Sequence, residues 1–167
     1  MDYSNRISQL LHDEHCATVA LMERLEQLIA QYRRTGFPDT KNADVARLLA
    51  DLSVGVAAEV ERHFSFEENQ LFPYLEAAGD RAIGAHLTEE HTAMRPLGIR
   101  MAALAREAAG QGFNADRWDE FCRLGRELCE RMLTHVQKEE MALLPIIAES
   151  MDADTEERLY RDYVETV

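Results

Sequence analysis

At 167 residues, with 31 acidic against 18 basic side chains and a formal charge of −13, the chain is long enough for one domain with a sizeable core, and its field opposes phosphate backbones and anionic lipid surfaces. No apolar run approaches a bilayer-spanning length, and the start M-D-Y-S-N-R lacks a basic segment followed by a hydrophobic one, so nucleic-acid and membrane partners are excluded and a cytoplasmic location is expected. Abundant Leu, Ala, Glu and Arg beside only 8 Gly and 4 Pro point to an all-α fold, and three cysteines without a C-x-x-C point away from a disulfide framework.

The first helical pattern runs from about Ser4 to Arg34 and stops before Gly36 and Pro38. Along it Leu11, His15, Thr18, Met22, Leu25, Ile29 and Tyr32 alternate in steps of four and three, the spacing of a buried stripe, so His15 is expected to face inward. A second helix is expected over 43–78, with Leu49, Leu52, Val56, His63, Glu67 and Tyr74 on its inner face. Pro73 removes a backbone hydrogen bond to Asn69 and should bend or loosen the end of this helix. Gly79 and Asp80 form a turn, and a third helix over 81–109 carries Leu87, His91, Met94, Gly98, Met101 and Ala105 inward. Gly110 to Gly112 end it, and Asn114 caps a fourth helix over 115–150 whose inner stripe is Phe121, Leu124, Leu128, His135, Glu139 and Ile146. A short fifth helix, 154–165, is expected to pack across one end through Leu159, Tyr160 and Tyr163, which are assigned no chemistry. The whole of 1–167 reads as one domain.

An internal repeat organises these segments. H-F-S-F-E-E-N-Q-L-F-P, from His63 to Pro73, and H-V-Q-K-E-E-M-A-L-L-P, from His135 to Pro145, share H-x-x-x-E-E and a proline at the same offset. Each follows a Glu-His pair, Glu14-His15 or Glu90-His91, by 48 or 44 residues, so the chain reads as two similar helical hairpins packed into an up-down-up-down antiparallel four-helix bundle. His15 and His91 lie about 11 residues inside the starts of their helices, and His63 and His135 about 15 residues before the ends of theirs; at about 1.5 Å per residue all four histidines fall near one level.

A histidine and a glutamate four apart on a helix are separated by about 40°, so His63 with Glu67 and His135 with Glu139 each project one imidazole and one carboxylate together. A buried ionised carboxylate needs a partner or a metal. Four imidazoles and two carboxylates exceed the four ligands of a structural zinc, and calcium and magnesium prefer oxygen; the mixed set suits iron, manganese or zinc. With Glu67 and Glu139 on opposite hairpins, each can bridge two ions, and a di-iron centre is the best inference.

These motifs resemble the hemerythrin-like, or HHE cation-binding, domain, which has a lone histidine on the first and third helices and H-x-x-x-E on the second and fourth. The resemblance covers about Ile7 to Glu149 and carries His15, His63, Glu67, His91, His135 and Glu139 into the ligand set. It implies a non-haem pair of iron ions linked by oxo or hydroxo, with manganese or zinc as substitutes, that meets O₂, NO, peroxide or a related small molecule. Ferritin-like bundles use E-x-x-H, which no histidine here satisfies. Oxygen-carrying hemerythrins have H-x-x-x-H on the third helix, where this chain has Leu87, and an aspartate five residues after the fourth-helix histidine, where this chain has Glu139 at four. The set is closer to bacterial relatives associated with nitric oxide response, iron-centre repair or sensing.

Two uses of such a centre stay open: binding or sensing a small molecule, and enzymatic detoxification of nitric oxide or peroxide, or iron-centre repair, with a separate redox or iron-accepting protein. His12 is open to three readings, as a further ligand, a support for His15 or a surface residue. His86 lies about 140° from His91 around the helix and is expected outside the site. Glu14, Glu68, Glu90 and Glu140, turned about 100° from their neighbouring ligands, are expected to face solvent. Met22, Met94, Met101 and Met132 are expected to fill the core, and Cys16, Cys122 and Cys129 to be buried small apolar side chains, with Cys16 of further interest because it directly follows His15.

Overall fold

The structure, a computed structural model, describes residues 3–33 and 36–165. Among the described residues there are five continuous helices and no strand: α1 (Arg6–Gln31), α2 (43–77), α3 (Ala82–Gln111), α4 (115–150) and α5 (Ala153–Glu165). The expected end of the first helix, Arg34, lies outside the described residues; within them α1 ends at Gln31. The other boundaries fall within two residues of expectation, because short polar side chains fix them. Asn5, Asn42 and Asn114 each accept a hydrogen bond from an amide of the first turn that follows, and Asp152 does the same for Thr155 at the start of α5. Gly79 and Gly112, at φ 102° and 75°, take the left-handed conformation that lets the chain leave α2 and α3.

Three stretches inside the long helices are wound wider than an α-helix. In α2 the amides of Phe64 and Phe72 reach back five residues to the carbonyls of Glu59 and Glu67, and in α4 the amide of Leu144 reaches back to Glu139. Pro73 and Pro145 directly follow the latter two turns. The loosening expected at Pro73 thus takes the form of a π-turn, and Pro145 repeats it: neither proline has an N–H to donate, and the wider turn relieves crowding against the carbonyl four residues back. The Glu59–His63 turn has another consequence. Because the Phe64 amide serves Glu59, the carbonyl of Val60 lacks its usual donor, and Arg95 of α3 supplies one through Nη1 at 2.6 Å. α3 itself runs unbroken through Pro96.

The principal helix contacts form a closed ring, with α1 on α2, α2 on α3, α3 on α4 and α4 on α1, while α5 packs on α1. Two apolar clusters fill the interior. One gathers Met22, Leu25, Val60, Phe64, Met94, Leu128 and Met132; the other gathers Leu11, Phe66, Leu71, Leu87, Leu143, Leu159 and Tyr163. On α1, α3 and α4 the histidine lies in sequence between members of the two clusters, as with Leu11, His15 and Met22, so the polar layer is enclosed by apolar packing on both sides. All four methionines expected in the core are there. No helix among the described residues is long and apolar enough to cross a membrane.

Gly98 is the close-approach point between α3 and α2: a Cβ there would lie 2.5 Å from Val60 Cγ1 and 3.2 Å from Val56 Cγ1. Both valines are buried, so Gly98→Ala is expected to destabilise the protein by about 1–3 kcal/mol. Urea unfolding should show a lower midpoint at an unchanged slope; an unchanged midpoint would mean that the two helices part at no cost.

Candidate metal centre

The four inward histidines meet in two pairs. His15 Nε2 lies 3.3 Å from His63 Nε2, joining α1 to α2, and His91 Nε2 lies 3.1 Å from His135 Nε2, joining α3 to α4. Glu67 and Glu139 stand between the pairs. Glu67 approaches His63 and His91 at 3.4 Å each, and Glu139 approaches His15 at 3.0 Å and His135 at 2.9 Å, each carboxylate reaching both pairs. His15, His63, Glu67 and Glu139 each offer one ligand atom within 4.8 Å of the others, and so do Glu67, His91, His135 and Glu139. The two groups share both glutamates.

The donor chemistry fits a pair of metal cations. Glu67 and Glu139 are 0% exposed, and none of their four oxygens has a hydrogen-bond partner, because the close imidazole nitrogens face them without hydrogen-bond alignment. Two buried carboxylates with unused lone pairs, flanked by nitrogens aimed at the same space, are arranged for a shared cation rather than for one another. Without one, protons compensate the charge. Burial alone would lower the histidine pKa values, but Glu139 and Glu140 hold His15 up at about 9, and Glu139 and Glu67 do the same for His91. His63 and His135 are raised too, against burial, by Glu59, Glu67 and Glu14 and by Glu139, Glu67 and Glu90 respectively. Burial pushes the Glu139 carboxyl up, yet His135, His15 and His91 hold it well below its ordinary value.

A ring of four further glutamates surrounds the histidines, and here the expectation from sequence fails. Glu14, Glu68, Glu90 and Glu140 do not point into solvent. Glu14 Oε2 meets His63 Nδ1 at 2.9 Å, Glu68 Oε1 meets His91 Nδ1 at 2.9 Å, Glu90 Oε2 meets His135 Nδ1 at 3.0 Å, and Glu140 Oε1 meets His15 Nδ1 at 2.7 Å. A turn of 100° does carry each carboxylate away from the site on its own helix, and it thereby carries it onto the histidine of a neighbouring one. Every contact crosses between helices, so each Nδ1–H is held by a carboxylate and each Nε2 is left facing the interior. The signal was present in the sequence as the doubled Glu-His and Glu-Glu dipeptides.

The outer glutamates are held in turn. Arg62 and the Tyr163 hydroxyl bind Glu14, Arg95 Nη2 binds Glu68 at 2.7 Å, Lys138 binds Glu90, and His12 Nδ1 lies 2.9 Å from Glu140. His12 therefore supports His15 through Glu140. Tyr163, read from sequence as packing alone, both packs in the core and reaches this ring from α5. His86 is 56% exposed on its side chain, beside Lys138 and Glu90, outside the inner group as expected. Cys122 and Cys129 are buried as expected, but Cys16 is exposed, because one step along α1 from the inward His15 turns it about 100° toward the surface; all three are free thiols.

The sequence model for the hemerythrin HHE cation binding domain matches residues 6–147, which span the first four helices. No curated protein gives a significant match.

The raised pKa values make stability depend on pH. A histidine raised from 6.5 to about 9 stabilises the folded chain fully below its unfolded value and loses that contribution as pH climbs through 9. Metal-free protein should thus lose on the order of 2–3 kcal/mol for each such histidine between pH ~6.5 and ~9. A metal cation, which needs neutral imidazoles, should abolish that slope by replacing the protons. Thermal melts with chelator and with ferrous iron at the two pH values measure this, and a flat profile with chelator would show that the histidines are already neutral.

Proposed function

The chain belongs to the hemerythrin HHE cation-binding family, and from that membership we propose that it is a non-haem di-iron protein that binds or senses O₂, NO or a related small molecule. The supporting observation is the doubled group in which Glu67 and Glu139 each reach both histidine pairs. In this reading His15 and His63 would hold one ion and His91 and His135 the other, with Glu67 and Glu139 available to both, in an up-down-up-down antiparallel four-helix bundle. Manganese or zinc would fit the same donors.

When bound, the iron pair supplies redox chemistry and exchangeable coordination positions. The protein's own contribution is to hold the ligands rigid, set their protonation and keep the surroundings dry. Glu14, Glu68, Glu90 and Glu140 accept hydrogen bonds from the Nδ1–H groups, which leaves each Nε2 with its lone pair for a metal. Phe64 stacks on His91 at 3.8 Å between ring centres and, with Phe72 on the same imidazole, walls that side with apolar surface. Leu87, 1% exposed, fills the position where an oxygen carrier has a fifth histidine, and this supports a centre with a position left for an exogenous ligand.

Anaerobic iron loading followed by O₂, NO or H₂O₂, with metal content and absorption recorded, tests the proposal. It expects an iron pair per chain and a new charge-transfer band; a chain that takes up no iron, or one tightly held zinc, sinks it. Glu67→Ala and Glu139→Ala should each abolish the pair. Glu68→Ala and Glu140→Ala should leave the ligands in place and weaken metal affinity by about 10–100-fold, because an orienting carboxylate is lost. An adduct that forms and reverses is the outcome for binding or sensing, whereas decay with consumption of NO or peroxide would assign turnover, with an external redox protein as partner.

A further inference from the structure

The two hairpins repeat one another in their inner histidines and differ on the surface just outside. A groove of about 410 Å³ runs between α1 and α2, its walls including Thr18, Leu21, Gly55, Ala58 and Glu59, and it extends to His63 itself. Its exposed lining is mainly apolar, and four of its charged residues are paired, Arg24 with Asp51 and Arg62 with Glu14. Glu59, 6% exposed, accepts a hydrogen bond from Thr18 Oγ1 at 2.9 Å through Oε2, while its Oε1 is buried without a partner.

The equivalent place on the other hairpin is built otherwise. Counted from the matching histidines, Thr18 corresponds to Met94, Gly55 to Glu127, Ala58 to Glu130 and Glu59 to Arg131. The depression between α3 and α4 has a larger volume, about 530 Å³, yet it is lined by Glu90, Met94, Glu127, Glu130, Arg131 and Thr134 and does not include a histidine. Met94, 1% exposed, fills the position that Thr18 leaves narrow, and Arg131 pairs with Glu127 at 3.0 Å across the surface. On the side of His91, the Phe64 stack closes the approach further.

We propose that the α1–α2 groove is the access route by which small uncharged molecules such as NO, O₂ or peroxide reach the centre, with Glu59 as the polar contact on its floor, and that the α3–α4 side is closed. The ligand set is therefore symmetric and its use is not. Exogenous molecules arrive beside the His15/His63 pair, and the His91/His135 pair is shielded. An apolar groove admits uncharged diatomics, and the buried carboxylate disfavours anions and offers an acceptor to a molecule with an O–H or N–H. This rests on the iron-binding reading above.

Mirror substitutions on iron-loaded protein test it, with nitric oxide and azide as probes and the rate of the optical change on mixing as the readout. Ala58 and Glu130 are both exposed, at matching positions of the two hairpins. Ala58→Phe, which fills the groove, should slow both probes at least about tenfold, whereas Glu130→Phe should leave both within about twofold. Thr18→Met, which copies the closed hairpin, should act as Ala58→Phe does. Glu59→Gln should speed azide by about threefold or more without moving nitric oxide, because it removes a negative charge from the path of an anion. Metal content measured on each variant separates the two levels. A wild-type chain without iron overturns the metal reading and the route with it. Iron-loaded Ala58→Phe and Thr18→Met with unchanged rates overturn the route alone, and unchanged azide association in Glu59→Gln overturns the part given to Glu59.

Discussion

Two carboxylates with no exposed surface and no hydrogen-bond partner, Glu67 and Glu139, set the terms for everything around them. Removing an ionised carboxylate from water costs several kcal/mol even after the protein relaxes, and doing so twice within one layer adds mutual repulsion. Positive charge must be brought to the same place, as protons on the imidazoles or as metal cations. The four histidines, the outer glutamates and the cations beyond them are successive answers to that demand, each layer neutralising the one inside it.

The helices are shaped by the same demand. The π-turns begin at Glu59, Glu67 and Glu139, three buried glutamates, and the widened winding alters the phase of the helix beside the polar layer while apolar packing continues above and below it. The carbonyl freed at Val60 is not lost to the core, since Arg95 takes it up, and the same guanidinium holds Glu68 against His91. One side chain thus links the backbone irregularity of α2 to the orientation of a histidine on α3. Such coupling fixes the orientation of the imidazole through hydrogen bonds that do not depend on a bound cation.

Repetition of the hairpin gives two near-equivalent halves, which differ in the groups outside the inner histidines. The inner ligands and the outer glutamates obey the repeat, with Glu14 and Glu90 serving His63 and His135, and Glu140 and Glu68 serving His15 and His91. The supporting groups depart from it: Arg62, Arg95 and Lys138 bind three of these carboxylates, and His12 takes the fourth place. The outer grooves depart further, one reaching His63, the other lined by Met94 and by the Arg131–Glu127 pair of α4 and by no histidine.

Sequence alone determined the helices and the inner group, because both follow from periodicity along one chain. Apolar residues in steps of three and four place His15, His63, His91 and His135 on buried faces, and H-x-x-x-E adds the carboxylates on the same faces. Only tertiary structure decided what lies beyond. Whether Glu14 or Glu68 meets solvent or an imidazole depends on which helix stands beside it and at what height, and a rotation of 100° that leads away from one partner leads toward another. The reach of Tyr163 from α5 to Glu14, the winding of α2 into π-turns and the unequal grooves are likewise relations between helices. A residue's angle on its own helix is written in the chain; its neighbour across the interface is fixed by packing.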